Sequence, residues 1–180
     1  MKQKIDRLKN KLITEDIMKK LNNQEVQRLD DYLNEIEIQI TNIKEELKPK
    51  DYITATIESE TVYEANTTVP LTVILSKYGD KLSLTSGAIK IGVGVSKVEI
   101  SGQVFYWKGD NRDPYQWSTI KLNEKSVSTA LADNSGDWAS VHFSPRIIDV
   151  KEGDTITLVN ISKGRIRNAE NTYINVKVVE

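Results

Sequence analysis

The residues able to do chemistry are few, and most gather between positions 92 and 142. His142 is the single histidine, and the chain has no cysteine. One imidazole without thiolates does not build a usual zinc site, and cysteine catalysis and disulfides are excluded. No nucleophile-elbow sequence surrounds any serine. His142 lies in the alternating run Trp138-Ala139-Ser140-Val141-His142-Phe143, so it reads as a strand residue rather than a general base. Gly92-Val93-Gly94-Val95-Ser96-Lys97 superficially resembles a phosphate loop. It lacks the spacer and the Gly-Lys-Ser/Thr ending, and reads as a bulge or turn. The carboxylate pairs Asp110/Asp113 and Asp133/Asp137 offer the oxygen ligands that calcium takes. Neither has EF-hand spacing, and aspartate is also a usual turn former. Nothing marks the paired carboxylates of a glycosidase. No metal, cofactor or catalytic site is expected.

Aromatic residues are the stronger signal. Tyr106, Trp107, Tyr115 and Trp117 flank the loop 109–114, and Trp138 follows the loop 133–137. Aromatic rings hold saccharides by stacking on their apolar faces, while placed polar groups bond the hydroxyls. Asp110, Asn111, Arg112 and Asp113 supply such groups, which makes Trp107, Asp110, Asn111, Arg112, Asp113, Tyr115, Trp117 and Trp138 a candidate saccharide site. The competing reading is that Trp107 and Trp117 are core or subunit-interface residues, because large aromatics dominate those energetics. Lys163-Gly164-Arg165-Ile166-Arg167-Asn168 reads as a small basic loop between the last two strands, either a solvated turn or a contact for an anionic polymer such as teichoic acid.

These residues need elements to position them. From Tyr52 onward the hydrophobic period is two. Ile53, Ala55 and Ile57 alternate with polar residues. Lys81–Thr85 and Ala88–Gly92 form an expected hairpin around Ser86-Gly87. In the next strand Val98, Ile100, Val104 and Tyr106 share one face, and Phe105 and Trp107 the other. Both faces are apolar near 104–107, which predicts a strand buried on one side and covered on the other by a neighbouring subunit. Further strands are expected near 115–122, 125–132, 138–143 and 146–150, then on both sides of the Gly153-Asp154 turn, and over 173–179. Eight to ten short strands in about 130 residues suit a β-sandwich or jelly roll.

The first 48 residues contain neither glycine nor proline, whereas all nine glycines lie from Gly79 onward. Pro49 marks the step, since proline disfavours helical geometry at the preceding residue. Val26, Leu29, Leu33, Ile36, Ile40, Ile43 and Leu47 are spaced alternately three and four apart, an uninterrupted heptad seam that asks for partner helices. Isoleucine at the second core position leans toward a trimer; the alternative is an antiparallel hairpin within one chain. Ile5, Leu8 and Leu12 share the register, but Glu15, Lys19 and Asn22 interrupt it, and Asn22 with Glu25 looks like a helix start. The reading is a helical anchor or adaptor over 1–22, a coiled-coil stem over 23–48, a linker over 49–51 and a head over 52–180. Formal net charge is −1 and no apolar run approaches the ~18 residues of a spanning helix. The charged start is not expected to be a secretion signal, and neither nucleic-acid binding nor membrane insertion is expected.

Val69-Pro70-Leu71, Lys81–Leu84, Ile89–Gly94, Val95–Gly102 and Val150–Leu158 carry a likeness. With the heptad stem before them, they resemble the trimeric jelly-roll heads of the complement-component and tumour-necrosis-factor type, nearest to those on tail, baseplate and fibre proteins of phages and prophages of Gram-positive bacteria. The resemblance covers roughly residues 52–180. It implies a homotrimer whose heads bury an aromatic face against their neighbours. It also implies a virion role, most often attachment to a host-surface saccharide, and it transfers no particular binding residue. The lack of a collagen stalk and of a secretion signal favours a phage particle over a secreted ligand. The expectation is a mostly β protein with an α-helical N-terminal stem: a trimeric jelly-roll β-sandwich head preceded by a short coiled coil. It would act on the virion surface as a non-catalytic host-attachment protein for cell-wall carbohydrate. Its N-terminal helices would dock to other phage structural proteins. A head-surface fibre or decoration protein with a purely structural role is the alternative.

Overall fold

A computed structural model describes residues 23–107, 115–133, 138–167 and 171–180. The chain divides into two units, Met1–Lys48 and Pro49–Glu180.

In the first unit, helix α1 spans Asn23–Glu46, 24 residues, or ~36 Å at 1.5 Å per residue. Glu25 in its first turn and Lys44 in its last complement the helix dipole. Beyond the helix, Leu47 N–H still donates to the Ile43 carbonyl, and Pro49 follows. The heptad stripe is largely uncovered. Val26, Leu33, Ile36 and Ile40 are only half-buried, and Leu29, Ile43 and Leu47 are 45%, 54% and 76% exposed. A helix with such a stripe hides it against another apolar surface, and a heptad spacing suits other helices. The expected anchor over 1–22 lies outside the described residues.

The second unit is a two-layer antiparallel sandwich, with thirteen strands among the described residues. They are β1 (Tyr52–Thr56), β2 (Thr61–Tyr63), β3 (Thr67–Val69), β4 (Val73–Tyr78), β5 (Leu82–Thr85), β6 (Ala88–Ile91), β7 (Lys97–Trp107), β8 (Tyr115–Leu122), β9 (Lys125–Asp133), β10 (Trp138–Asp149), β11 (Thr155–Asn160), β12 (Gly164–Ile166) and β13 (Tyr173–Val178). The first sheet runs β10-β7-β13-β1-β4, with β12 beside the C-terminal end of β7 and β2 beyond it. The second runs β5-β6-β11-β8-β9, with β3 also on β11. Sequence neighbours such as β10 and β11 lie in different sheets, so the Gly153-Asp154 turn carries the chain across the sandwich and does not close a hairpin.

Period two explains the core. In β7, Val98, Ile100, Val104 and Tyr106 point inward and are fully buried. They share one core cluster with Ile53, Ile174 and Val176 of their own sheet and Ile89, Ile120, Ile156 and Leu158 of the other. Each such side chain stabilises by about 1.5–3 kcal/mol when removed from water. The expected hairpin is present, and Ser86 (φ 51°) and Gly87 (φ 79°) form its two-residue turn, the positive-φ pair that such turns need. Gly102 serves a close approach instead, since a Cβ there would stand 2.5 Å from the Tyr173 carbonyl oxygen. The Gly92–Ser96 segment is the turn between β6 and β7. The two strands expected over 138–150 are one, β10, with a register shift between Phe143 and Arg146 that accommodates Pro145. The basic stretch after Lys163 is not a loop: its centre is β12, paired with β2 and β7.

Candidate functional site

The register of three strands builds a surface cluster on the outward side of the first sheet. Trp107 lies opposite Trp138 of β10 and opposite Arg165 of β12. One step along, Arg167 N–H donates to the Phe105 carbonyl. Cross-strand neighbours of this kind sit within side-chain reach, and here they touch. Phe105 and Trp138 stack at 5.2 Å between ring centroids, and Trp107 lies 6.1 Å from Trp138. The Arg165 guanidinium sits 4.4 Å over the Trp107 ring, and that of Arg167 sits 4.6 Å over Trp138. Cations over indoles gain about 0.5–1 kcal/mol at exposed sites. Glu60, just before β2, meets both arginines, at 3.3 Å to Arg167 Nε and 3.6 Å to Arg165 Nη1. Lys163, just before β12, pairs with Glu64, just after β2, at 2.7 Å.

The cover expected over β7 near residues 104–107 therefore comes, at least in part, from the same chain. Phe105 and Trp107 are half-buried, and their neighbours are Trp138, Arg165 and Arg167. Arg165, Arg167 and Glu60 were not among the residues the sequence singled out as a site with the tryptophans. The signal was present in Lys163-Gly164-Arg165-Ile166-Arg167, where cations alternate with Gly164 and Ile166, both buried.

Tyr115 and Trp117 stand elsewhere, on the outward side of β8 in the second sheet, both exposed. Trp117 faces Leu131 across the β8–β9 pair. Its backbone is pinned: the N–H donates to Ser162 Oγ at 3.1 Å, and the carbonyl accepts from Ile161 N–H at 3.0 Å. Among the described residues, no ring or cation lies over its indole. The four aromatics of the candidate saccharide site thus divide two and two between the sheets. Asp110, Asn111, Arg112 and Asp113 lie outside the described residues, and so does Asp137.

Between the layers lies a buried polar network. The Tyr106 hydroxyl donates to Asn160 Oδ1 at 2.5 Å and shares a bond with Ser118 Oγ. Burial pushes that phenol well above its ordinary range, partly offset by the Ser118 bond. Asn160 Nδ2 donates in turn to the carbonyls of Tyr63 and Glu64, which ties the network to the strand beside Glu60. His142 is exposed on β10, opposite Gln103. Among the described residues no group of three or more His, Cys, Asp or Glu is placed to hold a metal, and no helix is long and apolar enough to cross a membrane.

With this geometry the chain can be set beside known proteins. No protein-family pattern matches it, and no curated protein does. Solved structures do resemble it. Murine APRIL at pH 5.0 superposes with a TM-score of 0.54 at 11% identity, over 72% of this chain and 99% of that one. The globular domain of zebrafish complement 1qA gives 0.55 at 13%, over 74% and 98%. Eiger TNF from S. frugiperda gives 0.53 at 13%, over 74% and 94%. The head has the jelly-roll fold of the tumour-necrosis-factor and complement 1q type.

Proposed function

We propose that this chain is a self-associating, non-enzymatic attachment protein of a phage particle. Three copies join through the α1 stripe and display their jelly-roll heads toward cell-wall carbohydrate of the host. The observation that carries self-association is the exposure of Leu29, Ile43 and Leu47 on an unbroken heptad seam, the pattern that helices of other copies, or a fold-back of residues 1–22, would cover. The fold of the head supports the same reading, because the sequence resembles trimeric heads of that type. The virion location and the carbohydrate rest on that resemblance and on exposed aromatics at both sheets. Residues 1–22 are assigned to docking on other particle proteins.

Light scattering coupled to size exclusion tests the assembly. The mass should be three times 20.4 kDa, and a monomer defeats the reading. Labelled protein should decorate host cells and their purified wall polysaccharide. A trimer that decorates neither is a structural fibre or decoration protein instead.

A further inference from the structure

We infer that the paired guanidiniums of Arg165 and Arg167 form the recognition site of the head, and that its ligand is an anionic, phosphate-bearing wall glycopolymer rather than a neutral sugar. This inference rests on the attachment reading and names the chemistry of its ligand. Three observations carry it. First, within this cluster the indole faces are occupied: Arg165 covers Trp107, while Arg167 and Phe105 lie against Trp138. What this surface presents is the N–H edges of two planar cations. Second, those edges are barely used. An arginine carries five N–H donors. Among the described residues, the side chains of this pair make one hydrogen bond, from Arg167 Nε to Glu60, and Arg165 approaches the same carboxylate only at 3.6 Å. Third, the charge does not balance among the described residues. Lys163 has its own partner in Glu64, so one carboxylate serves two guanidiniums that are 37% and 43% exposed. Stacking on the indoles fixes both forks in place, and a fixed guanidinium fork matches the paired oxygens of a phosphate. Glu60 occupies part of the position such an oxyanion would take and acts as an internal competitor. A polymer repeating its phosphates along a sugar or polyol chain adds avidity across three heads.

The full-length protein is tested on immobilised polyglycerol phosphate and on a neutral glucan, with host-cell decoration as the reference. Binding is expected on the first only, weakening as salt rises. The double variant Arg165→Gln/Arg167→Gln should lose affinity for it by about tenfold or more. Glu60→Gln should gain affinity, because it removes the competing carboxylate; a merely structural Glu60 predicts a loss, and that result overturns the site. Equal binding to the neutral glucan, or an unchanged double variant, also overturns it. So does dissociation of the trimer in the double variant, which makes the cluster a subunit contact. If the double variant fails to fold, the sign of the Glu60→Gln effect decides. Cells decorated without any binding to the phosphate polymer defeat this inference and leave the attachment reading standing; neither cells nor polymer bound defeats both.

Discussion

Helix α1 and the sandwich use apolar residues at regular spacing to opposite ends. In β7 every second residue is apolar, and the chain itself covers that face: Val98, Ile100, Val104 and Tyr106 are fully buried. In α1 the seam is as regular, yet Leu29, Ile43 and Leu47 stay about half or more exposed. The sandwich closes because a second sheet with the same period lies in the same chain. The helix has no such partner among the described residues. A regular pattern therefore specifies that a face will be buried, and topology decides whether one chain suffices.

The largest expected effect breaks the helical side of the comparison. Ile36→Asp combined with Ile40→Asp places carboxylates at two adjacent core positions of the seam, where a charge without a partner is strongly disfavoured. The light-scattering mass should fall below that of the wild type, while the β signal in circular dichroism stays. An unchanged mass would show that the seam is not the subunit contact.

The converse change strikes the head. Ile100→Ala leaves a cavity between layers packed on both sides, at a cost of about 2–5 kcal/mol. Denaturant midpoints should fall accordingly. Ile43→Ala, on the exposed stripe, should leave the head transition where it was. Equal shifts from the two substitutions would mean that stem and head unfold as one unit.

What the sequence disclosed follows the same division. Period two over 97–107, 115–122 and 173–178, the Ser86-Gly87 turn and the unbroken helix all state their geometry locally. The short strands β2, β3 and β4 did not. Thr61-Val62-Tyr63 and Thr67-Thr68-Val69 are too brief to show a period, and β4, with Val73 to Tyr78 exposed or half-exposed on both faces, shows none. The stretch 163–167 misled for another reason. Its cations dominate the composition, so Gly164 and Ile166 alternating beneath them were read as a basic loop. Two strands were expected over 138–143 and 146–150, whereas β10 runs through and absorbs Pro145 in a bulge. Of the candidate site, aromatic content was legible but grouping was not, since which tryptophans meet depends on which strands pair and on which sheet each joins. Trp107 meets Trp138 because β7 pairs with β10, and misses Trp117 because β8 belongs to the other sheet.

That split makes a narrower comparison inside the head. Trp138 is clasped by Phe105, Trp107 and Arg167, whereas Trp117 has an uncovered ring. Trp138→Ala should cost about 1–3 kcal/mol through lost ring and cation contacts. Trp117→Ala should stay within about 0.5 kcal/mol, as exposed substitutions usually do. Thermal melts of the two variants separate the cases. A larger loss at Trp117 would mean that its ring is covered in the assembled protein.

The smallest effect concerns the network that joins the sheets beneath this surface. The Tyr106 phenol is raised by burial above its ordinary 10.0. In the unfolded chain it ionises from that value upward, whereas in the folded chain it stays protonated. The unfolded state then binds fewer protons, so stability is unaffected below about pH 9 and falls as pH rises through 10 and beyond, by at most about 1.4 kcal/mol per pH unit. Lys97 acts with the same sign, because its bond to Glu180 raises it, and the two must be separated. Tyr106→Phe does so. It removes the bonds to Asn160 and Ser118, lowering stability near neutral pH by about 1–3 kcal/mol. It also removes the phenol's share of the alkaline slope, while that of Lys97 remains. Urea melts of wild type and variant between about pH 8 and 11 should converge as pH rises. Parallel curves would mean that the buried hydroxyl is not the group that titrates.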